Sequence, residues 1–274
     1  MGVAQGESCE RFLDLHTRPG AFVMPNAWDG ASAALLARAG FEALGSSSLA
    51  IAFALGRLDG AAQVDRETAL ANARLLHDVS GLPVNGDLED GFGTRPDDCV
   101  VTVEAAIASG LAGLGIEDTT ADPRRPIHAF DDAVERVRAA VRAARGRIVL
   151  TARTDNFLQG RPDLDDTIRR LVAFAELGAD VVYAPGLPDL ASIEAVVRAV
   201  APCPVNVLIG PASEPVRLDV LERMGVKRVS VGGALYRRTM THLVDVAAAL
   251  RAGDLAAVTG GIPGSEIARL LARS

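Results

Sequence analysis

Short apolar runs alternate along this chain with longer stretches whose apolar positions recur at three-and-four spacing. The runs fall at 21–24, 42–45, 82–87, 112–116, 148–153, 180–184, 204–209 and 228–231, and their content of Val, Ile and Leu reads as strand. The longer stretches predict helices at 31–39, 66–79, 97–109, 131–145, 164–177, 190–200, 218–224 and 234–251. A first amphipathic helix over 8–18 stops at Pro19-Gly20. The tail, 253–274, carries Gly260-Gly261 and Pro263-Gly264 and reads as a loop followed by a short helix at 266–271, a lid or an oligomer contact.

Strand and helix therefore recur roughly every thirty residues. Strands this rich in branched residues are buried on both faces, as parallel strands with helical crossovers are. Eight such units predict a (β/α)8 TIM barrel filling the whole chain, 1–274, as one domain. An open doubly wound sheet is the competing fold. Against it stand the absence of GxGxxG after the first strand, the absence of a P-loop, and an even composition throughout. Gly232-Gly233 after the last strand suits a phosphate at a helix start or, equally, a plain turn.

Composition narrows the function. Of the 274 residues 49% are apolar and only 4% aromatic, the profile of a tightly packed α/β protein. The formal charge of −7, with no cluster of Lys and Arg among aromatics, argues against a nucleic-acid partner. Cys9, Cys99 and Cys203 form no CxxC pair, so a reduced, cytoplasmic protein is expected. No apolar signal core or membrane-length apolar window is present, and no membrane partner is expected.

The chemistry gathers at the predicted strand ends, where barrels of this kind carry it. Val84 to Gly93 runs from an apolar approach into Asp87, Glu89 and Asp90 and then glycines, and the next strand ends in Glu117-Asp118. On a regular strand Asp87 and Glu89 share a face, and Glu117 joins them from the neighbouring strand. Three hard carboxylates suit partly hydrated Mg²⁺ or Mn²⁺ and not zinc. The plainer alternative is helix capping, for which Asp90, Asp97 and Asp98 are better placed.

Arg153 ends the fifth strand, where an unpaired guanidinium is costly. It is read as a bidentate clamp on a substrate carboxylate, the alternative being an ion pair with Asp155 or Glu117. Ser47 and Ser48 offer hydroxyls and N–H groups to a carboxylate, and Asn206 needs a partner inside the barrel, either substrate or backbone. Trp28 is read as a wall of the pocket, the alternative and commoner role of a lone Trp being packing. His16, His77, His128 and His242 fall away from strand ends, and none is read as a general base.

Asp-x-Glu-x-Gly-Phe-Gly at 87–93, Gly-Ile-Glu-Asp at 115–118, Ala-Arg-Thr-Asp at 152–155 and Gly-Ala-Asp at 178–180 resemble the isocitrate lyase and phosphoenolpyruvate mutase superfamily. Pro25-Asn26-Ala27-Trp28-Asp29, the serine run and Leu55-Gly56-Arg57-Leu58-Asp59 extend the resemblance over nearly the whole chain. It implies a barrel whose last helix is exchanged between subunits of a dimer or tetramer. It also implies a Mg²⁺ centre at Asp87, Glu89 and Glu117 with Asp59 nearby, some acting through water, and a carboxylate site at Ser47, Ser48 and Arg153. The shared chemistry is stabilisation of the enolate of a 2-oxo acid, with Asp59, Arg153 and Glu117 as the catalytic candidates.

Departures from the family narrow the reaction. The Lys-Lys-Cys-Gly-His or Lys-Arg-Cys-Gly-His loop of isocitrate and methylisocitrate lyases is missing, which counts against isocitrate lyase activity. Where the mutases carry Lys and Asn in a gating loop, this chain reads Thr119 to Pro126, with Arg124 and Arg125 as its cations. The expectation is a Mg²⁺-dependent lyase cleaving a carbon-carbon bond of a small 2-oxo or 2-hydroxy dicarboxylate. Phosphorus-carbon chemistry is the rival within enzymes, and non-catalytic binding of a 2-oxo acid is the rival of another class.

Overall fold

The computed structural model describes residues 3–60 and 63–272, so the outermost ends of the predicted 1–274 span, 1–2 and 273–274, lie outside the described residues. Eight parallel strands form the sheet: β1 (Phe22–Met24), β2 (Leu44–Gly45), β3 (Val84–Asp87), β4 (Gly113–Glu117), β5 (Val149–Arg153), β6 (Val181–Tyr183), β7 (Val205–Leu208) and β8 (Arg228–Ser230). They are ordered β1-β8-β7-β6-β5-β4-β3-β2. Between β1 and β2 the cylinder is closed by a parallel bridge from Asn26 to Gly45. This is the (β/α)8 barrel that the alternation of patterns predicts.

Asn26 closes that seam with its side chain as well. Its Nδ2 donates to Ser46 O at 2.6 Å, while Oδ1 accepts from the N–H groups of Val231 and Gly232 at 3.0 and 2.8 Å. Only glycine suits the opposite side of the seam, because a Cβ on Gly45 would lie 2.7 Å from Asn26 Nδ2. The turn after β8 is thus held by Asn26, and turn geometry accounts for Gly232.

The helices are α1 (Val3–Thr17), α2 (Gly30–Arg38), α3 (Ser48–Ala54), α4 (Arg66–Ser80), α5 (Pro96–Ala108), α6 (Phe130–Ala144), α7 (Leu164–Glu176), α8 (Leu190–Val200), α9 (Leu218–Arg223), α10 (Ala234–Arg251) and α11 (Gly264–Leu271). Most agree with the predicted spans within a few residues. Two differ. α1 begins at Val3, ahead of the predicted start at 8, and α3 falls where the pattern predicts no helix. Ser47 supplies the helix signal there, since its hydroxyl caps α3 by accepting from Ala50 N–H.

The main core lies between strands and helices, with Leu44, Leu76, Leu114, Leu150, Leu171 and Phe174 fully buried. A second cluster plugs the bottom of the barrel, where α1 presents Phe12 and Leu15 to Phe22, Met24, Val149 and Val181. Phe12, His16 and Phe22 meet edge to face, with ring centroids 4.7 to 6.5 Å apart. Room for Phe12 comes from Gly113, whose added Cβ would stand 2.6 Å from the Phe12 ring.

α10 is an exception to this packing. It is 18 residues long, yet only Tyr236 is buried, and within the chain it meets chiefly the turn Leu255–Val258.

Candidate active site

A cavity of about 180 Å³ opens at the C-terminal ends of the strands, lined at its mouth by Ser46, Ser47, Ser48, Asp59, Asp87 and Arg153. Asn206 also lines it, but Trp28 does not. Trp28 packs edge to face on Tyr236 of α10 at 5.4 Å and gives its carbonyl to Asn72, so its observed role is packing. Asn206 finds its partners inside the protein, donating to Ser230 Oγ at 2.9 Å and accepting from Arg228 Nε at 2.9 Å.

Asp87 sits where two loops serve it. The Ser46 hydroxyl accepts from its N–H at 2.8 Å, and the Ser48 N–H donates to its Oδ2 at 2.9 Å. The serine run, expected to orient a substrate carboxylate, therefore builds the surroundings of Asp87 and caps α3 in this structure. β3 ends at Asp87, so the expected strand alternation does not carry on to Glu89. Glu89 instead takes a left-handed conformation, φ 47°, with its carbonyl accepting from Glu117 N–H at 3.0 Å.

Arg153 makes the ion pairs that were the alternative to a clamp. Nη1 lies 2.9 Å from Glu117 Oε2 and 3.5 Å from Asp87 Oδ1. Its Nε and Nη2 take Asp155 in a bidentate pair, with Nη2 to Oδ2 at 2.6 Å. The ring of Tyr183 lies against the guanidinium at 5.3 Å.

The Asp155 turn is itself anchored from behind. Asp118 accepts from Asp155 N–H at 3.0 Å and from Thr154 Oγ1 at 2.7 Å, and pairs with Arg170 of α7 at 3.1 Å. Arg170 also donates to His128 O at 3.0 Å, at the base of the loop after β4. Sequence reasoning missed Arg170, because its tie to Asp118 spans two βα units. Arg124 and Arg125 in that loop are almost fully exposed and face Asp122 at 3.4 and 3.7 Å.

The carboxylates expected to hold a metal do not converge on one point. Among the described residues no three His, Cys, Asp or Glu side chains converge to chelate an ion directly. The physical reason is Arg153, which stands between Asp87 and Glu117 and neutralises both. What remains is an excess of carboxylate. Burial, then the charges of Asp87, Asp59 and Asp90, push the Glu89 pKa up to about 7. Burial and Asp87 push Asp59 up in the same way, against the pull of Arg153. Burial also raises Glu117, with Arg153 opposing. Oxygen donors that repel one another are the chemistry of a divalent-cation site, and Mg²⁺ keeps much of its water, so this wall fits a hydrated ion.

Comparison with known proteins agrees with this architecture. Residues 12–251 match the model of the phosphoenolpyruvate phosphomutase family, and the chain belongs to the isocitrate lyase/phosphoenolpyruvate mutase superfamily. A structure from Burkholderia cenocepacia J2315, described provisionally as a lyase/mutase, is similar at TM-score 0.95 and 46% identity, covering 99% of this chain and 98% of that one. Oxaloacetate acetylhydrolase in complex with the inhibitor 3,3-difluorooxalacetate is similar at TM-score 0.87 and 26% identity, covering 98% and 93%. Oxaloacetate decarboxylase of Paraburkholderia xenovorans (strain LB400) is 30% identical over 272 residues, 95% of this chain and 87% of the relative. Among the described residues no helix is long and apolar enough to cross a membrane.

Proposed function

We propose that this protein is a Mg²⁺-dependent lyase that cleaves a carbon-carbon bond of a small 2-oxo or 2-hydroxy dicarboxylate by way of an enolate. The observation that carries this reading is the pair of carboxylates Asp59 and Asp87 beside Arg153 at the cavity mouth, with Glu89 close enough to feel the charge of both. Asp87, Glu89 and Glu117, with Asp59 alongside, would hold the ion through carboxylate and water. A divalent cation there (Mn²⁺ in place of Mg²⁺ serving equally) supplies charge stabilisation for oxygens that turn anionic.

The chain's own residues provide the rest. Asp155 fixes the Arg153 guanidinium by two parallel bonds, so it holds its place without reorganisation during the reaction. Ser46 and Ser48 lock Asp87 in one orientation through its backbone and its Oδ2. Ser47 and Ser48 line the cavity and meet the substrate carboxylate, with Arg153 beyond them. The loop after β4, pinned at His128 by Arg170, would close over the mouth and exclude water.

Phosphorus-carbon chemistry draws less support, because Arg124 and Arg125 face Asp122 and not the cavity. We place the working unit in the cytoplasm, where free Cys9, Cys99 and Cys203 stay reduced. The unpacked α10 supports a homo-oligomer, dimer or tetramer, with that helix exchanged between subunits. The test is a Mg²⁺-dependent screen of oxaloacetate, substituted malates and phosphonopyruvate, with pyruvate and phosphate as readouts and Asp87→Ala as control. Metal-dependent pyruvate release by the wild type alone supports the lyase, and phosphate release supports the rival. Oxalate binding without any turnover leaves a binding protein. Failure to bind oxalate with Mg²⁺ removes the reading.

A further inference from the structure

Two arginines line the cavity among the described residues, and they differ in what neutralises them. Arg153 faces Glu117, Asp155 and Asp87. Arg228 is 1% exposed, and among the described residues it pairs with no carboxylate. Its Nε donates to Asn206 Oδ1 at 2.9 Å, Nη2 to Thr151 Oγ1 at 2.9 Å and Nη1 to His16 Nε2 at 3.2 Å. His16 brings no compensating charge, for its Nδ1 is committed to Phe12 O at 2.8 Å. A guanidinium has five N–H donors, so Arg228 keeps donors in reserve as well as an uncompensated charge.

The position of Arg228 follows from the barrel's shear. Glu117, Arg153, Tyr183, Asn206 and Arg228 are successive register partners from β4 to β8. Strands tilt in a barrel, so such a row descends along the axis as it goes round. It starts at the mouth with Glu117 and ends with Arg228 on the floor, above His16 and Phe12. Barrel interiors are usually filled by branched apolar side chains, whereas this floor is lined by Asn85, Thr151, Asn206 and Arg228.

Asn85 is an independent sign that the floor awaits a partner. It is 7% exposed and lines the same cavity, yet its side-chain amide makes no hydrogen bond among the described residues and its Oδ1 is fully buried. Polar groups this deep are ordinarily satisfied. A buried cation without a counter-charge is more costly still.

We infer that Arg228, with Asn85, Thr151 and Asn206 beside it, anchors the second carboxylate of the substrate, the one remote from the acidic wall. The inference rests on the proposed dicarboxylate lyase and makes Arg228 its specificity-determining residue. One end of the substrate lies against the wall of Asp59 and Asp87, and the other descends to the floor. Arg153 is already neutralised three times over, so the second negative charge goes to the arginine that lacks one.

The experiment is calorimetric titration of the wild type and Arg228→Met with two non-reacting ligands in the presence of Mg²⁺. Oxalate is short enough to stay at the mouth, while 3,3-difluorooxaloacetate spans both ends. Losing a charged hydrogen-bonded anchor should weaken the longer ligand on the order of 10- to 100-fold, with oxalate changed less than about threefold. Equal loss for both ligands, or none for either, overturns the inference. A wild type that binds neither ligand overturns the lyase reading first. Should Arg228→Met fail to fold, a crystal structure of the wild type with 3,3-difluorooxaloacetate decides. A carboxylate within hydrogen-bond reach of Arg228 upholds the anchor, and one held elsewhere overturns it.

Discussion

Ser48 and Asp87 are joined across the mouth of the barrel, the Ser48 N–H donating to Asp87 Oδ2 at 2.9 Å. Ser48 is also the first residue of α3, the position where proline is best tolerated, since an N–H there lacks a helical partner. Ser47 before it is extended, φ −146° and ψ 115°, as a residue preceding proline should be. Ser48→Pro should therefore remove one hydrogen bond to Asp87 and leave the helix intact. Stability should fall by about 1–2 kcal/mol, because the N–H that proline removes is hydrogen-bonded, and Mg²⁺ affinity should fall roughly tenfold. Ser48→Ala, which keeps the N–H, separates the hydroxyl's share. If Ser48→Pro binds Mg²⁺ like the wild type, the hydrogen bond does not tune the site.

Glu89 makes stability depend on pH in a definite direction. Its pKa rises from 4.5 to about 7 in the folded protein, so its contribution is full below 4.5 and is lost as pH climbs through 7. At about 1.4 kcal/mol per unit the loss is at most about 3.5 kcal/mol. Without divalent ions, the melting temperature should fall from about pH 5 to pH 8 in the wild type. Glu89→Gln should flatten that part of the profile and be the more stable protein at pH 8. Parallel profiles for the two proteins would mean that Glu89 does not titrate in this range.

Much of this was readable in the chain before any coordinates, and the parts that were not share a cause. Strand and helix periods located all eight βα units, and of the site residues read from the sequence Asp87 and Arg153 line the mouth. The geometry linking Asp87 to Glu89 was not readable, because the strand stops at Asp87 and the backbone turns left-handed at Glu89. Asp118 was visible as the neighbour of Glu117. Its partner Arg170 lies 52 positions away, however, and only the barrel's closure brings them together. Arg228 left a signal that went unused: a strand buried on both faces leaves an arginine nowhere to go but inside.

The Asp118–Arg170 pair supports the site without lining the cavity. Asp118 is 2% and Arg170 3% exposed, and between them they hold Thr154, the Asp155 N–H and His128 O. Asp118→Asn leaves Arg170 with Asp166 as its remaining carboxylate, at 2.7 Å. The cost should be about 3 kcal/mol, the low end for breaking a buried pair. Amide hydrogen exchange at Asp155 and His128 should speed up more than in the strands. A uniform increase across the molecule would show general destabilisation in place of a loosened turn.

Gly113 tests how the bottom of the barrel is sealed. A Cβ there would lie 2.6 Å from Phe12 Cε1 and 2.8 Å from Asn85 Oδ1. The ring is fully buried against α1's other contacts and has little room to yield. Gly113→Ala should cost about 1–3 kcal/mol as an overpacked core does. Phe12→Leu in the same chain should restore part of it, and a double variant no more stable than Gly113→Ala would rule out Phe12 as the obstacle.

The last prediction concerns α10. Met240, Leu243, Val244 and Ala247 follow the spacing of one helix face. Leu243 is 57% and Val244 65% exposed, and Leu255 and Val258 nearby are 70% and 58% exposed. A contiguous apolar face of this kind suits a contact surface, and the proposed homo-oligomer puts a second copy of the chain on it. Sedimentation should therefore find a dimer or tetramer at micromolar concentration. Leu243→Glu with Val244→Lys should shift the protein toward monomer and lower its melting temperature, because the stripe then carries charge into an apolar interface. A monomeric wild type would show that α10 does not serve assembly, and the apolar face would then belong to some other partner.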